Sequence, residues 1–192
     1  MKPIATVLRS FLAPDDAAAV PDGPDPARRA AGRKAREHCD ALERWCRAEH
    51  ARADALGIAF VRQAGRPIIG HNGDGPVYGR APTDFVGTIL GAEGAPWLAL
   101  AVEAKARDAR LQRSDLEEHQ REHLAYVDAT GGVALVVIGL RDPVGRWVIP
   151  WRDLEARWNH AHGGESVGAR ELHGFDPSLG CYLVRFAGVR RG

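Results

Sequence analysis

The chain has 192 residues, which is enough for one ordinary domain with its own core. Its 45% hydrophobic and 27% charged residues are typical of a globular protein, and a net charge of +1 excludes a strongly basic one. Nucleic acid is still allowed as a partner, because binding depends on local clusters of charge. Three cysteines without a C-x-x-C pair argue against a disulfide framework or a structural zinc site.

The beginning of the chain carries no sign of membrane targeting. No apolar run approaches the length that crosses a bilayer, and Arg9 interrupts the early apolar residues before a signal-peptide core forms. We therefore expect a cytoplasmic protein with no membrane partner. Residues 1–27 include a stretch rich in proline, aspartate and alanine, which is typical of a linker, so we interpret them as an N-terminal extension. Residues 28–192 are predicted to form the functional domain.

The first predicted element is a long helix from Ala27 to about Leu56, because this stretch lacks proline and is followed by Gly57. A short strand is predicted over 58–62 from its apolar and β-branched residues. Residues 64–82 are rich in glycine and proline, and we predict an irregular loop there. A loop of that length inside a compact domain is expected to be functional or disordered.

Two strand-like runs follow at 83–91 and 96–106, joined by a glycine-containing turn. Ser114 and Glu117 have the spacing of a capping box, which predicts the start of a helix that runs to about Ala129.

The last part of the chain completes the predicted fold. The continuous apolar run 133–140 predicts a strand covered on both faces, and 146–150 a strand that pairs back along it. Residues 151–162 are predicted to form a helix, and 181–186 a final strand. This order predicts an α/β fold, in which helices flank a mixed β-sheet.

The strongest chemical signal is an aspartate on one predicted strand and a Glu-x-Lys pattern on the next. Because side chains alternate between faces, Glu103 and Lys105 share one face of an otherwise apolar strand. Asp84 begins the neighbouring strand, so its carboxylate can come near Glu103. Two close carboxylates repel each other unless a cation lies between them, and oxygen ligands suit Mg²⁺ or Mn²⁺.

A lysine beside such a metal can orient water or stabilise charge that develops on a phosphate. The residues Asp84, Glu103 and Lys105 therefore predict phosphodiester hydrolysis. The alternative interpretation is an ordinary surface salt bridge between Glu103 and Lys105.

Two predicted helices supply further candidate side chains. Gln120 lies on the apolar stripe that includes Leu116 and Leu124, where a polar group needs a partner. The carboxylate site is one such partner, and a main-chain group is the alternative. On the first helix, Glu37 or Glu43 could supply another carboxylate to the metal, although each could equally be a solvated partner of nearby arginines.

Four short motifs occur in an order that is similar to a known family. They are T-D-F-V-G (83–87), V-E-A-K (102–105), H-Q-x-x-H (119–123) and G-G-V-A (131–134). Together they resemble the RecU family of Holliday-junction resolvases, which belong to the PD-(D/E)XK nuclease superfamily. The resemblance covers roughly residues 32–155 and is densest over 82–150.

The resemblance implies a restriction-endonuclease-like core, with a loop or stalk insertion between the first two strands at 64–82. Residues 28–192 would then be a nuclease domain. It also implies a Mg²⁺-dependent endodeoxyribonuclease, with Mn²⁺ as a possible substitute. Such an enzyme acts as a homodimer and cuts two opposed strands of a four-way DNA junction.

The motif positions also imply roles for individual residues. Asp84 and Glu103 carry over as metal ligands, with the backbone carbonyl of Ala104 as a third. Lys105 carries over as the catalytic lysine, and Gln120 as the polar residue that faces the site. For the helix carboxylate, the spacing to the following strand favours Glu43, while an upstream Gly-Arg pair keeps Glu37 open.

Contacts with DNA are expected to use basic side chains on phosphates, largely independent of sequence. The candidates lie on the long helix, around the loop and after the Glu-x-Lys strand: Arg33, Lys34, Arg62, Arg66, Arg80, Arg107, Arg110 and Arg113. Two other functions stay open. One is a nuclease of the same fold that acts on flaps, ends or duplex DNA, and the other is a non-catalytic DNA-binding protein.

Overall fold

The computed structural model describes residues 25–66, 68–72, 75–92, 96–160, 165–177 and 181–188. The chain divides into two compact units, residues 1–34 and 35–192. In the first unit, the described part is the start of a long helix, where the side chain of Asp25 accepts a hydrogen bond from the main-chain nitrogen of Ala27 at 2.9 Å. Most of the predicted extension over 1–27 lies outside the described residues.

The described residues form three α-helices and nine β-strands. The helices are α1 (Pro26–Ala55), α2 (Glu118–Ala129) and α3 (Trp151–His160). The strands are β1 (Ala59–Gln63), β2 (Ile68–Asn72), β3 (Gly75–Tyr78), β4 (Phe85–Ile89), β5 (Leu98–Arg107), β6 (Arg110–Gln112), β7 (Val133–Arg141), β8 (Val144–Pro150) and β9 (Ser166–Gly168). Among the described helices, none has both the length and the apolar composition needed to cross a membrane.

Five strands form the main sheet, in the order β1-β4-β5-β7-β8. The neighbours are antiparallel except for β5 and β7, which run parallel and are connected through α2. The sheet is therefore mixed, and the prediction of an α/β fold with a mixed sheet flanked by helices is confirmed. Two small antiparallel pairs, β2 with β3 and β6 with β9, lie outside this sheet.

Alternation along the central strands separates two apolar clusters, one on each face of the sheet. On one face, Leu100 and Val102 of β5 belong to a cluster with Cys46 of α1. On the other face, Ala101 belongs to a cluster with Leu124 of α2. Every second residue of β5 after Ala101 therefore faces α2. The next two residues in this series are Glu103 and Lys105, so the fold directs their side chains toward this helix.

The prediction of an irregular loop over 64–82 is wrong. Residues Ile68–Asn72 and Gly75–Tyr78 form a two-stranded antiparallel hairpin, which lies in the chain between β1 and β4. The sequence does contain two pairs of good β-formers, at 68–69 and 77–78, and the surrounding glycine and proline outweighed them in the prediction. Pairing of two strands needs only main-chain donors and acceptors, which glycine supplies as well as any residue.

The prediction of a strand over 181–186 is also wrong, because Tyr182–Arg185 form a 3-10 helix. Tyr182 and Leu183 are consecutive, and both are fully buried. In a strand, consecutive side chains point to opposite faces, so a strand packed on a single surface could not bury both. The Tyr182 hydroxyl lies 2.5 Å from Nε2 of the buried His50, and this long-range contact favours the tighter turn.

The capping box predicted at Ser114 is a third error. Ser114 lies in a short 3-10 turn, Arg113–Asp115, and the next residue, Leu116, is extended with a fully buried side chain. Burial of Leu116 in this conformation prevents the helix from starting earlier. Helix α2 begins at Glu118.

We expect Gly87→Ala to destabilise the protein by about 3 kcal/mol, the upper part of the usual cost of overpacking. A Cβ atom at Gly87 would overlap the main-chain oxygen of Phe60 and lie 2.9 Å from Cα of Val61. Paired backbone atoms cannot move aside cheaply. Equilibrium unfolding in urea measures the change. The control is Gly65→Ala, where the new atom meets open space, and equal stability of the two variants would contradict the expectation.

Candidate active site

The aspartate and glutamate of the sequence pattern meet at the edge where β4 begins. The register pairs Phe85 with Val102, so Asp84 and Glu103 are opposite one another one position further on. The main-chain nitrogen of Asp84 donates a hydrogen bond to Oε2 of Glu103 at 3.1 Å. In turn, the main-chain nitrogen of Ala104 donates to Oδ2 of Asp84 at 2.9 Å. Each carboxylate is thus held by the backbone of the opposite strand.

The second oxygen of Glu103 has two side-chain partners. Gln120 Nε2 donates to Oε1 at 2.7 Å, and Lys105 Nζ lies 2.7 Å from the same oxygen. The Glu103 side chain is 0% exposed and that of Lys105 is 16% exposed. An ordinary surface salt bridge does not describe this arrangement, because one partner is completely buried.

The Gln120 side chain is fixed in orientation by the start of α2. Its Oε1 accepts a hydrogen bond from the main-chain nitrogen of Glu117 at 2.9 Å, which directs the amide NH₂ group toward Glu103. Gln120 is itself buried. It therefore both satisfies a free donor at the helix N-terminus and supports the buried carboxylate.

The pKa of Glu103 is raised from 4.5 to about 7, chiefly by burial and secondly by the negative charge of Asp84. The ammonium group of Lys105 and the hydrogen bond from the Asp84 backbone act against this shift. A pKa near 7 means that the protein holds a second negative charge beside Asp84 only at a cost. A cation bound between the carboxylates would remove that cost.

The donor set at this edge fits a hard divalent cation. In the described residues, Oε1 of Glu103 is occupied by Gln120 and Lys105, whereas Oε2 accepts one hydrogen bond and keeps a free lone pair. Asp84 supplies the second carboxylate. No three His, Cys, Asp or Glu side chains of the described chain come together as a metal-binding group. A cation here would therefore have Asp84, Glu103 and main-chain or water oxygens as its ligands.

Glu43, one of the two candidate helix carboxylates, lies one turn before Cys46 on α1. The thiol of Cys46 is fully buried, and its pKa is raised to about 12 by burial and then by the charges of Asp84 and Glu43. Both carboxylates thus act on one buried group. Glu43 is also ion-paired with Arg47, one turn along α1, at 3.6 Å. Glu37 is exposed on the same helix.

Four of the arginines expected to contact DNA already have polar partners. These pairs are Arg80 with Glu117, Arg107 with Asp115 (2.8 Å), Arg110 with Glu171 (3.2 Å) and Arg113 with Asn159 (3.4 Å). The first three are neutralised by carboxylates and contribute less to a polyanion-binding surface, because the carboxylate must first be displaced, whereas Arg113 keeps its charge beside the neutral amide of Asn159.

The other expected cations are exposed. Arg33 and Lys34 lie on the part of α1 that belongs to the unit of residues 1–34. Arg62 and Arg66 line one concave surface beside Val86, and Arg66 also lines the concave surface that contains Asp84. Basic side chains therefore extend from the edge strand β1 to the carboxylate site.

The pocket at the site includes residues that the sequence patterns did not identify as functional. Its lining consists of Arg66, Gly79, Arg80, Ala81, Thr83, Asp84, Glu117, His119 and Gln120. In the sequence, the position of Glu117 indicates only half of a capping box. Its pairing with Arg80 joins positions 37 residues apart, so no local pattern indicates it. The signal for His119 was its place next to Gln120 in the H-Q-x-x-H motif.

No family model matches this chain, and no curated protein matches it either.

The raised pKa of Glu103 predicts a pH-dependent stability. Between pH 4.5 and about 7 the unfolded chain releases this proton more readily than the folded protein, so the free energy of unfolding falls as the pH rises. The size of the fall is on the order of 3 kcal/mol. Glu103→Gln should remove this part of the pH dependence, as measured by urea unfolding at pH 5 and pH 8 in EDTA.

Glu122→Gln is the matched control, since Glu122 is an exposed glutamate on α2. It should keep the wild-type pH profile. A Glu103→Gln variant with the same profile as the wild type would show that Glu103 is already charged at pH 5.

Proposed function

We propose that this chain is a divalent-metal-dependent endodeoxyribonuclease that resolves four-way DNA junctions by phosphodiester hydrolysis. The observation that carries the proposal is the contact of Lys105 with the buried Glu103, directly beside Asp84. Two carboxylates and a lysine, brought together where β4 begins beside β5, are the groups that metal-assisted phosphodiester hydrolysis requires. The resemblance of four motifs to RecU resolvases supports the step from this chemistry to a junction substrate.

The fold that we infer is the restriction-endonuclease-like core, with an insertion between the first two strands of the sheet. The mixed order β1-β4-β5-β7-β8 is consistent with it. We assign the insertion to the hairpin β2–β3, which interrupts the chain between β1 and β4. In this proposal the hairpin is the stalk that enters the centre of a junction.

In the proposed reaction a water molecule attacks the phosphorus, the bond to the leaving oxygen breaks, and that oxygen takes up a proton. Lys105 supplies a positive charge next to the phosphate, because its ammonium group is at the site and is partly exposed. Gln120 and the Asp84 backbone keep the Glu103 carboxylate fixed, so the site does not reorganise as charge develops.

Asp84 and Glu103 would hold Mg²⁺ or Mn²⁺, with the carbonyl of Ala104 as a further ligand. When bound, the ion would supply Lewis acidity to the scissile phosphate. By motif position, we assign Glu43 as the helix carboxylate that would act on this site, directly or through water.

Two symmetric cuts across a junction need two active sites, so we propose a homodimer. The path of exposed basic residues from Arg62 through Arg66 toward Asp84 supports DNA phosphates as the contacts. Recognition of shape would then select the substrate, since phosphate contacts carry no sequence information.

A broader nuclease of the same fold is the second candidate. The strands of the proposed stalk have only five and four residues, and a hairpin this short has little surface with which to select a junction. The same site chemistry would then act on flaps, ends or duplex DNA.

We expect Glu103→Gln and Lys105→Ala to reduce cleavage of a four-way junction by about 100-fold or more, the usual loss when a group that stabilises transition-state charge is removed. Junction binding should change little, because neither side chain belongs to the exposed basic path. Cleavage is followed with Mg²⁺ and binding with Ca²⁺. The control Glu122→Gln should cut normally, and full activity of either site variant would disprove the assignment.

The preference for substrate separates the candidate functions. With Mg²⁺ or Mn²⁺ but not with EDTA, a resolvase should cut a mobile-core four-way junction faster than a flap or a duplex of the same sequence. Equal rates on all three would favour the broader nuclease. Tight binding of the junction without any cutting, in either metal, would favour a non-catalytic DNA-binding protein.

A further inference from the structure

Glu117 is placed among groups that attract anions, although the site chemistry does not use it. Its carboxylate is ion-paired with Arg80, and its Oε2 lies 3.7 Å from Nδ1 of His119. Arg66 lines the same pocket, which also contains Asp84. The carboxylate of Glu117 thus lies on Arg80 and beside His119, in the lining of the pocket that contains Asp84.

The environment of Glu117 resembles a phosphate site that the protein fills with its own anion. Arginine and histidine are the side chains that commonly donate hydrogen bonds to phosphate oxygens, and a carboxylate offers them similar oxygen acceptors. We propose that Glu117 occupies, in the free protein, the place that a backbone phosphate of the DNA substrate takes on Arg80. This inference rests on the proposed function, because it assigns a substrate contact to the same pocket.

The exchange is physically accessible because the pair is exposed. The side chains of Arg80 and Glu117 are 76% and 54% exposed, and exposed ion pairs of this kind contribute little to stability. A phosphate can therefore displace the carboxylate without unfolding the surrounding structure. The main chain of Glu117 stays in place during the exchange, because its nitrogen is bound by Gln120.

The exchange also connects the proposed stalk with the site. Arg80 is two residues after the end of β3, and the next residue, Ala81, accepts a hydrogen bond from Nε2 of His119 at 3.1 Å. These two contacts fasten the base of the hairpin to the start of α2. A phosphate that takes over Arg80 would thus loosen one of the two attachments at the base of the hairpin.

The expected consequence is that Glu117 weakens DNA binding and lowers its dependence on salt. A phosphate that replaces Glu117 neutralises Arg80 but leaves a free carboxylate, which takes up a cation. In the Glu117→Gln variant the displaced side chain is neutral, so no cation is taken up when the phosphate binds. Affinity for a four-way junction should rise about three- to tenfold at low salt, and the slope of log K against log salt should steepen by up to about 0.9.

A double-mutant cycle on a fluorescent four-way junction tests the inference, with Ca²⁺ in place of Mg²⁺ to prevent cutting. Arg80→Gln should weaken binding, and in the Glu117→Gln background it should make the salt slope shallower by up to about 0.9, the value for one phosphate contact. The double variant should bind like Arg80→Gln, because Glu117 acts through Arg80. Glu122→Gln, which removes a charge of the same sign on α2, five residues further along the chain, is the matched control.

Two results would overturn the inference while leaving the nuclease proposal intact. One is a Glu117→Gln variant that binds no more tightly than Glu122→Gln. The other is an equal gain from Glu117→Gln with and without Arg80, which would indicate only general repulsion of DNA. A wild-type protein that neither binds nor cuts DNA would overturn the proposed function and this inference together.

Discussion

The buried carboxylate of Glu103 is the interaction on which the site depends. A charged group with no exposed surface is costly in the interior of a protein unless donors or a cation compensate it. Here one oxygen is held by Gln120 and Lys105 and the other by the backbone of Asp84. Three separate elements, β4, β5 and α2, must come together to provide these donors, so the position of each is restricted by this one group.

The position of the site follows from the sheet. Strand β5 lies between the antiparallel β4 and the parallel β7, and its side chains alternate between two apolar clusters. Polar residues of β5 can therefore face α2 only where the apolar series ends, which is at Glu103 and Lys105. Gly87 permits β1 to approach β4 closely, so the beginning of β4, and Asp84 with it, is fixed against the rest of the sheet.

The features of the fold and site that depend on local periodicity could be predicted from the sequence. Alternation places Glu103 and Lys105 on one face, and a short turn between apolar runs predicts the antiparallel pair that brings Asp84 near. The spacing of Gln120 on α2 predicted a buried polar residue in need of a partner. The burial of strand β7 on both faces followed from its continuous apolar run.

The remaining features depend on contacts between distant residues, which local patterns do not contain. The 3-10 helix at Tyr182 follows from burial against His50, 132 residues earlier. The start of α2 is set by the buried Leu116, and the pair of Arg80 with Glu117 joins two segments that carry no shared motif. The hairpin β2–β3 is formed by main-chain pairing in a segment whose composition alone favours a loop.

The most direct test of the account is the location of Mn²⁺ by anomalous X-ray scattering from crystals soaked in the ion. We predict a peak within bonding distance of the carboxylates of Asp84 and Glu103, and its loss in the Glu103→Gln variant. No peak at this position under saturating Mn²⁺ would contradict the assignment of a metal-dependent active site.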